Sequence, residues 1–238
     1  SKYPGNGVSV AGGTFHMKGG SITGNSATNG GGVYVFYGTF NMSGGSITGN
    51  TATGDGNTPS TGGGVFVSEH STFSMNGGSI TGNTAANGGG VYVHDTFTVS
   101  GGVKISGNKK SDGSNSNVYL SSGKTISVTG KLDGAEIGVT TAKTPAASSP
   151  IPIAENGGDH TVTEVDAAVF FADDLGKYKT EFAEDKKVQL CSGATLVKHP
   201  VCGMECTHKN EDGSLKHPDN KTWKPWSDAT SLPYDGYY

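Results

Sequence analysis

The sequence predicts an all-β fold, a parallel β-helix or solenoid, on three observations. A glycine-rich unit recurs along the first half of the chain. Apolar residues alternate with period two inside each unit. The composition is too poor in apolar residues for a thick globular core: 32% of the 238 residues are hydrophobic and 40 are glycine. The placement of those residues is also too regular for a disordered linker. Narrow ladders of side chains, buried between stacked copies of one unit, satisfy both constraints.

The unit is explicit. TFHMKGGSITGNSATNGGGVYV (14–35) returns as TFNMSGGSITGNTATGDGNTPSTGGGVFV (39–67). It comes again as TFSMNGGSITGNTAANGGGVYV (72–93), and in weaker form as TFTVSGGVKISGNKKSDGSNSNVYL (96–120). The leading Phe15, Phe40, Phe73 and Phe97 are 25, 33 and 24 residues apart, the long step coming from an insertion at 54–61. A solenoid accommodates such an insertion as a loop.

Within a unit, Phe40 and Met42 point one way while Thr39, Asn41 and Ser43 point the other. Val33 and Val35 likewise oppose Tyr34, and Ile22, Ile47, Ile80 and Ile105 supply a third inward position. The expected coil has three short strands per turn, with glycine at corners that need positive φ. Asn25, Asn50, Asn83 and Asn108 recur at one corner, where stacking predicts a hydrogen-bonded ladder.

After about residue 125 the unit fades but strand character persists. KTISVTGKL (124–132) keeps Ile126 and Val128 in the inward register, and AEIGVTT (135–141) predicts another strand. The Pro/Ala/Ser-rich 141–153 predicts a long edge loop. Residues 167–174 and 186–193 predict closing strands. The expected organisation is a parallel β-helix over 1–190, with cap coils from about 125, followed by a small Cys/His-containing module or linker over 191–238. The chain begins inside the pattern, so any targeting segment is expected to lie outside it.

The unit F-x-M-x-G-G-x-I-x-G-N…G-G-G-V-Y-V resembles the right-handed parallel β-helix repeats of large cell-wall or secreted proteins of gut Firmicutes. It is distantly similar to the GGAI/FxxN repeats of chlamydial polymorphic membrane proteins. The resemblance covers residues 7–128. It implies a non-catalytic extracellular scaffold or adhesin segment of a bacterial cell-surface protein. The implied partner is a host or bacterial glycan, or a surface protein.

Composition narrows the function classes. All 17 basic residues are lysine, against 21 acids and a net charge of -4. Without arginine's planar fork for phosphate and guanine, an acidic chain is a poor nucleic-acid binder. No apolar run reaches the roughly 18 residues of a membrane span.

The alternative class is a β-helix polysaccharide lyase or glycoside hydrolase, which needs clustered carboxylates on one outer face. The repeats hold only Asp55, Glu69 and Asp95. Glu69 and Asp95 follow V-F-V and V-Y-V in successive units and could lie near each other, or be solvated turn charges. These few acids, and the missing arginine, predict that the chain is not an enzyme.

Two features are candidate sites. Tyr34, Phe66, Tyr92 and Tyr119 each sit between inward valines or their equivalents and predict an outward aromatic stripe. Such rings can receive a sugar or protein partner, or simply stack on one another. Thr23, Thr48, Thr81 and Ser106 form a second outward column, which lacks the paired pattern of an ice-binding face.

The second candidate is the polar stretch 199–226. Cys202, Cys206, His208 and His217 offer two thiolates and two imidazoles, a donor set suited to a structural zinc ion. A disulfide among Cys191, Cys202 and Cys206 is the competing expectation. The C-G-x-x-C-x-H…H…W pattern also resembles a short module that recurs between β-helical segments of the same Firmicutes proteins.

Overall fold

The structure, a computed structural model, describes residues 6–192 except 147. The described chain is nearly all β, with many strands paired in parallel. The first unit forms β1 (Val8–Ala11), β2 (Thr14–Met17), β3 (Ser21–Thr23) and β4 (Ser26–Ala27). The second forms β5 (Val33–Phe36), β6 (Thr39–Met42), β7 (Ser46–Thr48) and β8 (Thr51–Ala52). The third gives β9 (Val65–Val67), β10 (Thr72–Met75) and β11 (Ser79–Thr81). Next come β12 (Val91–Val93), β13 (Thr96–Val99) and β14 (Lys104–Ser106), then β15 (Val118–Leu120) and β16 (Ile126–Val128).

Each strand pairs in parallel with its counterpart one unit later, residue on equivalent residue. Three strands per unit were expected; a fourth extended segment is present. It pairs β4 with β8 and continues as single bridges from Thr51 to Thr84 and from Thr84 to Lys109.

The in-register pairing stacks like on like. Phe15, Phe40, Phe73 and Phe97 form a column with ring centroids 5.4, 4.8 and 4.9 Å apart, and the inner three rings are fully buried. Beside it run the columns of Met42 and Met75, of Ile47, Ile80 and Ile105, and of Val33, Val65, Val91 and Val118, all buried. No single unit covers these side chains. Each fully buried residue of this size stabilises by about 1.5–3 kcal/mol, so the energy lies between units.

The Gly-Gly-Gly corner is a backbone requirement. Gly62 has φ +63, and a Cβ there would lie 2.5 Å from the Val65 carbonyl oxygen. Its neighbour Gly63 packs so tightly on the next unit that a Cβ would lie 2.4 Å from the Gly89 carbonyl.

The asparagine corner forms the expected ladder. The backbone N–H and Nδ2 of Asn25 both donate to Oδ1 of Asn50, at 3.0 and 2.9 Å. Asn50 does the same to Asn83, and Asn83 to Asn108. Spare Nδ2 hydrogens reach back to the carbonyls of Ile22, Ile47 and Ile80. Asn108 donates onward to Asn117, which donates to the carboxylate of Asp173.

Beyond β16 the pattern is closed off. β17 (Glu136–Thr141) pairs with both β14 and β15, joining two ladders into one eleven-stranded sheet. β18 (Ile151–Asn156) pairs in parallel with β16, so the last three residues of the expected edge loop, 151–153, belong to a strand. The first expected closing strand, 167–174, contains β19 (Phe170–Ala172) beside β17; the single-turn helix α1 (Glu164–Ala167) leads into it and takes only its first residue. β20 (Tyr178–Phe182) and β21 (Val188–Ser192) form an antiparallel pair set against β18 across a register shift at Pro152/Ala154. Among the described residues no helix is long and apolar enough to cross a membrane.

Candidate functional site: an aromatic corner

Tyr34, Phe66, Tyr92 and Tyr119 fall at one register position of β5, β9, β12 and β15, between buried neighbours on either side. Their rings stack with centroids 5.1, 5.3 and 5.2 Å apart and planes within 20°. Faces of the inner rings, Phe66 and Tyr92, are therefore covered by their neighbours in the stack, and all four residues are half-buried. Burial, then the neighbouring Tyr92, raises the Tyr119 hydroxyl above its ordinary pKa.

The stack does not end at Tyr34. Its ring meets Phe36 at 6.3 Å, Phe36 meets Tyr37 edge-on at 4.5 Å, and Tyr37 meets the His70 imidazole at 5.2 Å. Phe36 is 42% and Tyr37 55% exposed, so ring surface closed off in the stack is open at this corner. Tyr37 and His70 have φ of 49° and 52°, left-handed values that a side chain rarely adopts. Phe36, Tyr37 and His70 were not among the sequence candidates. Their signal was a departure from the unit: Phe-Tyr stands where the unit before it has Ala11-Gly12 and the unit after it Ser68-Glu69.

Strand β6 leaves this corner directly, and its outer side chains line a shallow polar groove with those of neighbouring strands. Lys18, His16, Asn41, Ser43, Ser74 and Asn76 contribute, and the groove's lining holds no carboxylate. Asn41 Nδ2 lies 3.4 Å from His16 Nδ1.

The candidate acids are engaged elsewhere. Glu69 Oε1 lies 3.8 Å from His94 Nε2, and Lys124 Nζ donates to Asp95 at 3.1 Å. Burial opposes the Asp95 carboxylate, but Lys124 and the backbone N–H groups of His70 and Ser71 outweigh it and hold its pKa below the ordinary value. These contacts tie successive turns together.

Cys202, Cys206, His208 and His217 lie outside the described residues. Cys191 is buried at the end of β21, its thiol donating to Glu181 at 3.3 Å. Among the described residues no group of three or more His, Cys, Asp or Glu side chains is placed to hold a metal ion. No family model matches the chain, and no curated protein or solved structure matches it.

Proposed function

We propose that the chain is a right-handed parallel β-helix that serves as a non-catalytic scaffold at a cell surface and presents its aromatic corner to an extracellular glycan. The observation that carries this is the pair Tyr37 and His70. Two successive units each hold a non-glycine residue in left-handed backbone, with the two rings in tilted contact and Tyr37 exposed. Backbone strain of this kind costs about 1–3 kcal/mol per residue and tends to mark positions kept for more than packing.

Chemistry favours a sugar. Exposed ring surface suits the apolar face of a pyranose, and the hydroxyls, amides and Lys18 of the groove on the strand that follows suit a sugar's hydroxyl or acidic substituents. The test is a panel of immobilised glycans probed with the wild-type chain and with Tyr37→Ala. Binding that disappears in the variant, with folding unchanged, supports the proposal. Binding to protein ligands alone, with the same dependence on Tyr37, would make the partner a protein. Glycan cleavage abolished by Glu69→Gln or Asp95→Asn would place the chain among the lyases or hydrolases instead.

A further inference from the structure

We infer that the β1–β4 edge is a one-way stacking surface, which accepts a further parallel coil of the same repeat and rejects a second copy of the chain meeting it edge to edge. Three independent observations meet here. Each of β1, β2, β3 and β4 ends its sheet and has a partner on one side only among the described residues. Part of the inward surface of this turn is less covered: Val8, Phe15 and Ile22 are only partly buried, whereas Val33, Phe40 and Ile47 beneath them are fully buried, and Val10 and Met17 stay buried.

The second observation is polarity. From asparagine to asparagine the bonds run one way: each side chain donates to the amide oxygen of the next, higher-numbered rung, while the spare Nδ2 hydrogens of Asn50, Asn83 and Asn108 go back to isoleucine carbonyls. Asn25 Oδ1 is thus the acceptor end, and no described residue donates to it. An arriving coil of the same unit, in the same direction, brings a backbone N–H and an Nδ2 to that oxygen. Two identical edges placed together would instead oppose acceptor to acceptor.

Third, among the described residues the edge strands carry none of the usual charge or proline defences against strand addition. Residues 8–27 contain one charge, Lys18, and no proline. The opposite end is defended: the ladder terminates on Asp173, β18 carries a register shift, and edge strand β20 bears Lys179 paired with Glu181.

The test inserts a second copy of residues 8–32 immediately before Val8 of the full chain and follows amide hydrogen exchange. Amides of β1–β3, now interior, should exchange at least tenfold more slowly than in the parent, with a higher melting temperature. The same insertion with the first copy's ladder asparagine changed to Asp should give neither. An unprotected β1–β3 with the remaining units still protected, or equal protection from the Asp copy, overturns the inference. Should the insertion not fold, a synthetic peptide of residues 8–53 is titrated into the wild-type chain, where slowed exchange at β1–β3 supports the inference and unchanged exchange refutes it. Sedimentation of the parent should show no dimer; one whose formation protects β1–β3 contradicts the one-way claim.

Discussion

Asn117 and Asp173 close the asparagine ladder: the Asn117 backbone N–H donates to Asp173 Oδ2 at 2.8 Å, and its Nδ2 donates to Oδ1 at 2.5 Å. In every earlier step one amide oxygen takes both donors; at the last step a carboxylate divides them. Thr140 adds a third hydrogen bond at 2.7 Å. A buried carboxyl group thus sits at the donor end of a row of aligned amides.

Burial pushes the Asp173 carboxyl above the ordinary carboxylate range, against the opposing hydrogen bonds from Thr140 and Asn117 and the charge of Lys110. A raised folded-state value means stability is fully present below the unfolded pKa and is lost as pH rises through the folded one. Wild-type stability should therefore fall relative to Asp173→Asn as pH rises above the ordinary carboxylate range. Denaturant titrations of the two at several pH values check this. Asp173→Ala, which orphans three donors, should cost about 2–3 kcal/mol.

Position along the ladder sets the cost of removing a rung. Asn83 is fully buried, accepts two hydrogen bonds from Asn50 and donates to Asn108 and to the Ile47 carbonyl. Asn83→Ala should destabilise by about 3 kcal/mol, and Asn25→Ala at the open edge by under about 1 kcal/mol. Equal shifts in urea midpoint would refute the ladder as a cooperative element.

The aromatic column and the aromatic corner should separate experimentally. Tyr92 stacks on Phe66 and Tyr119, and Tyr92→Ala should cost about 2 kcal/mol through lost stacking and burial. Tyr37→Ala, at an exposed ring in left-handed backbone, should leave the melting temperature nearly unchanged, and Tyr37→Gly should raise it. Thermal unfolding of the three variants decides.

Asp166 governs the acid side. Burial alone would raise its pKa, but hydrogen bonds from the Thr163 side chain, the Leu132 and Thr163 backbone N–H groups and His160 outweigh it and lower the value. This carboxylate caps α1 and ties it to Leu132, so its stabilisation is present above the unfolded pKa and lost as pH falls through the lowered folded one. Asp166→Asn should be less stable than wild type near neutrality, and the gap should close in acid. A gap independent of pH would contradict the assignment.

How much of this was legible in sequence follows from how each feature is encoded. The columns of Phe40, Ile47 and Val33, and the ladder from Asn25 to Asn108, repeat at a fixed position, so recurrence alone exposed them. The Ser26–Ala27 segment has two small residues and no apolar alternation, and left no strand signal. Asn117 replaces a corner glycine, and its partner Asp173 lies 56 residues away, a relation that no local pattern carries. The antiparallel β20–β21 pair likewise follows from the need to cover an exposed end, not from the repeat. At the candidate site, periodicity found the stacked rings, whereas the exposed Phe36 and Tyr37 were visible only as breaks in it.

The most direct test of the central claim, that the open corner and not the stacked column receives a glycan, is titration calorimetry with the best ligand from the glycan panel. The double variant Phe36→Ala/Tyr37→Ala should bind at least tenfold more weakly than wild type while keeping its melting temperature. Undiminished affinity in that folded variant would contradict the claim.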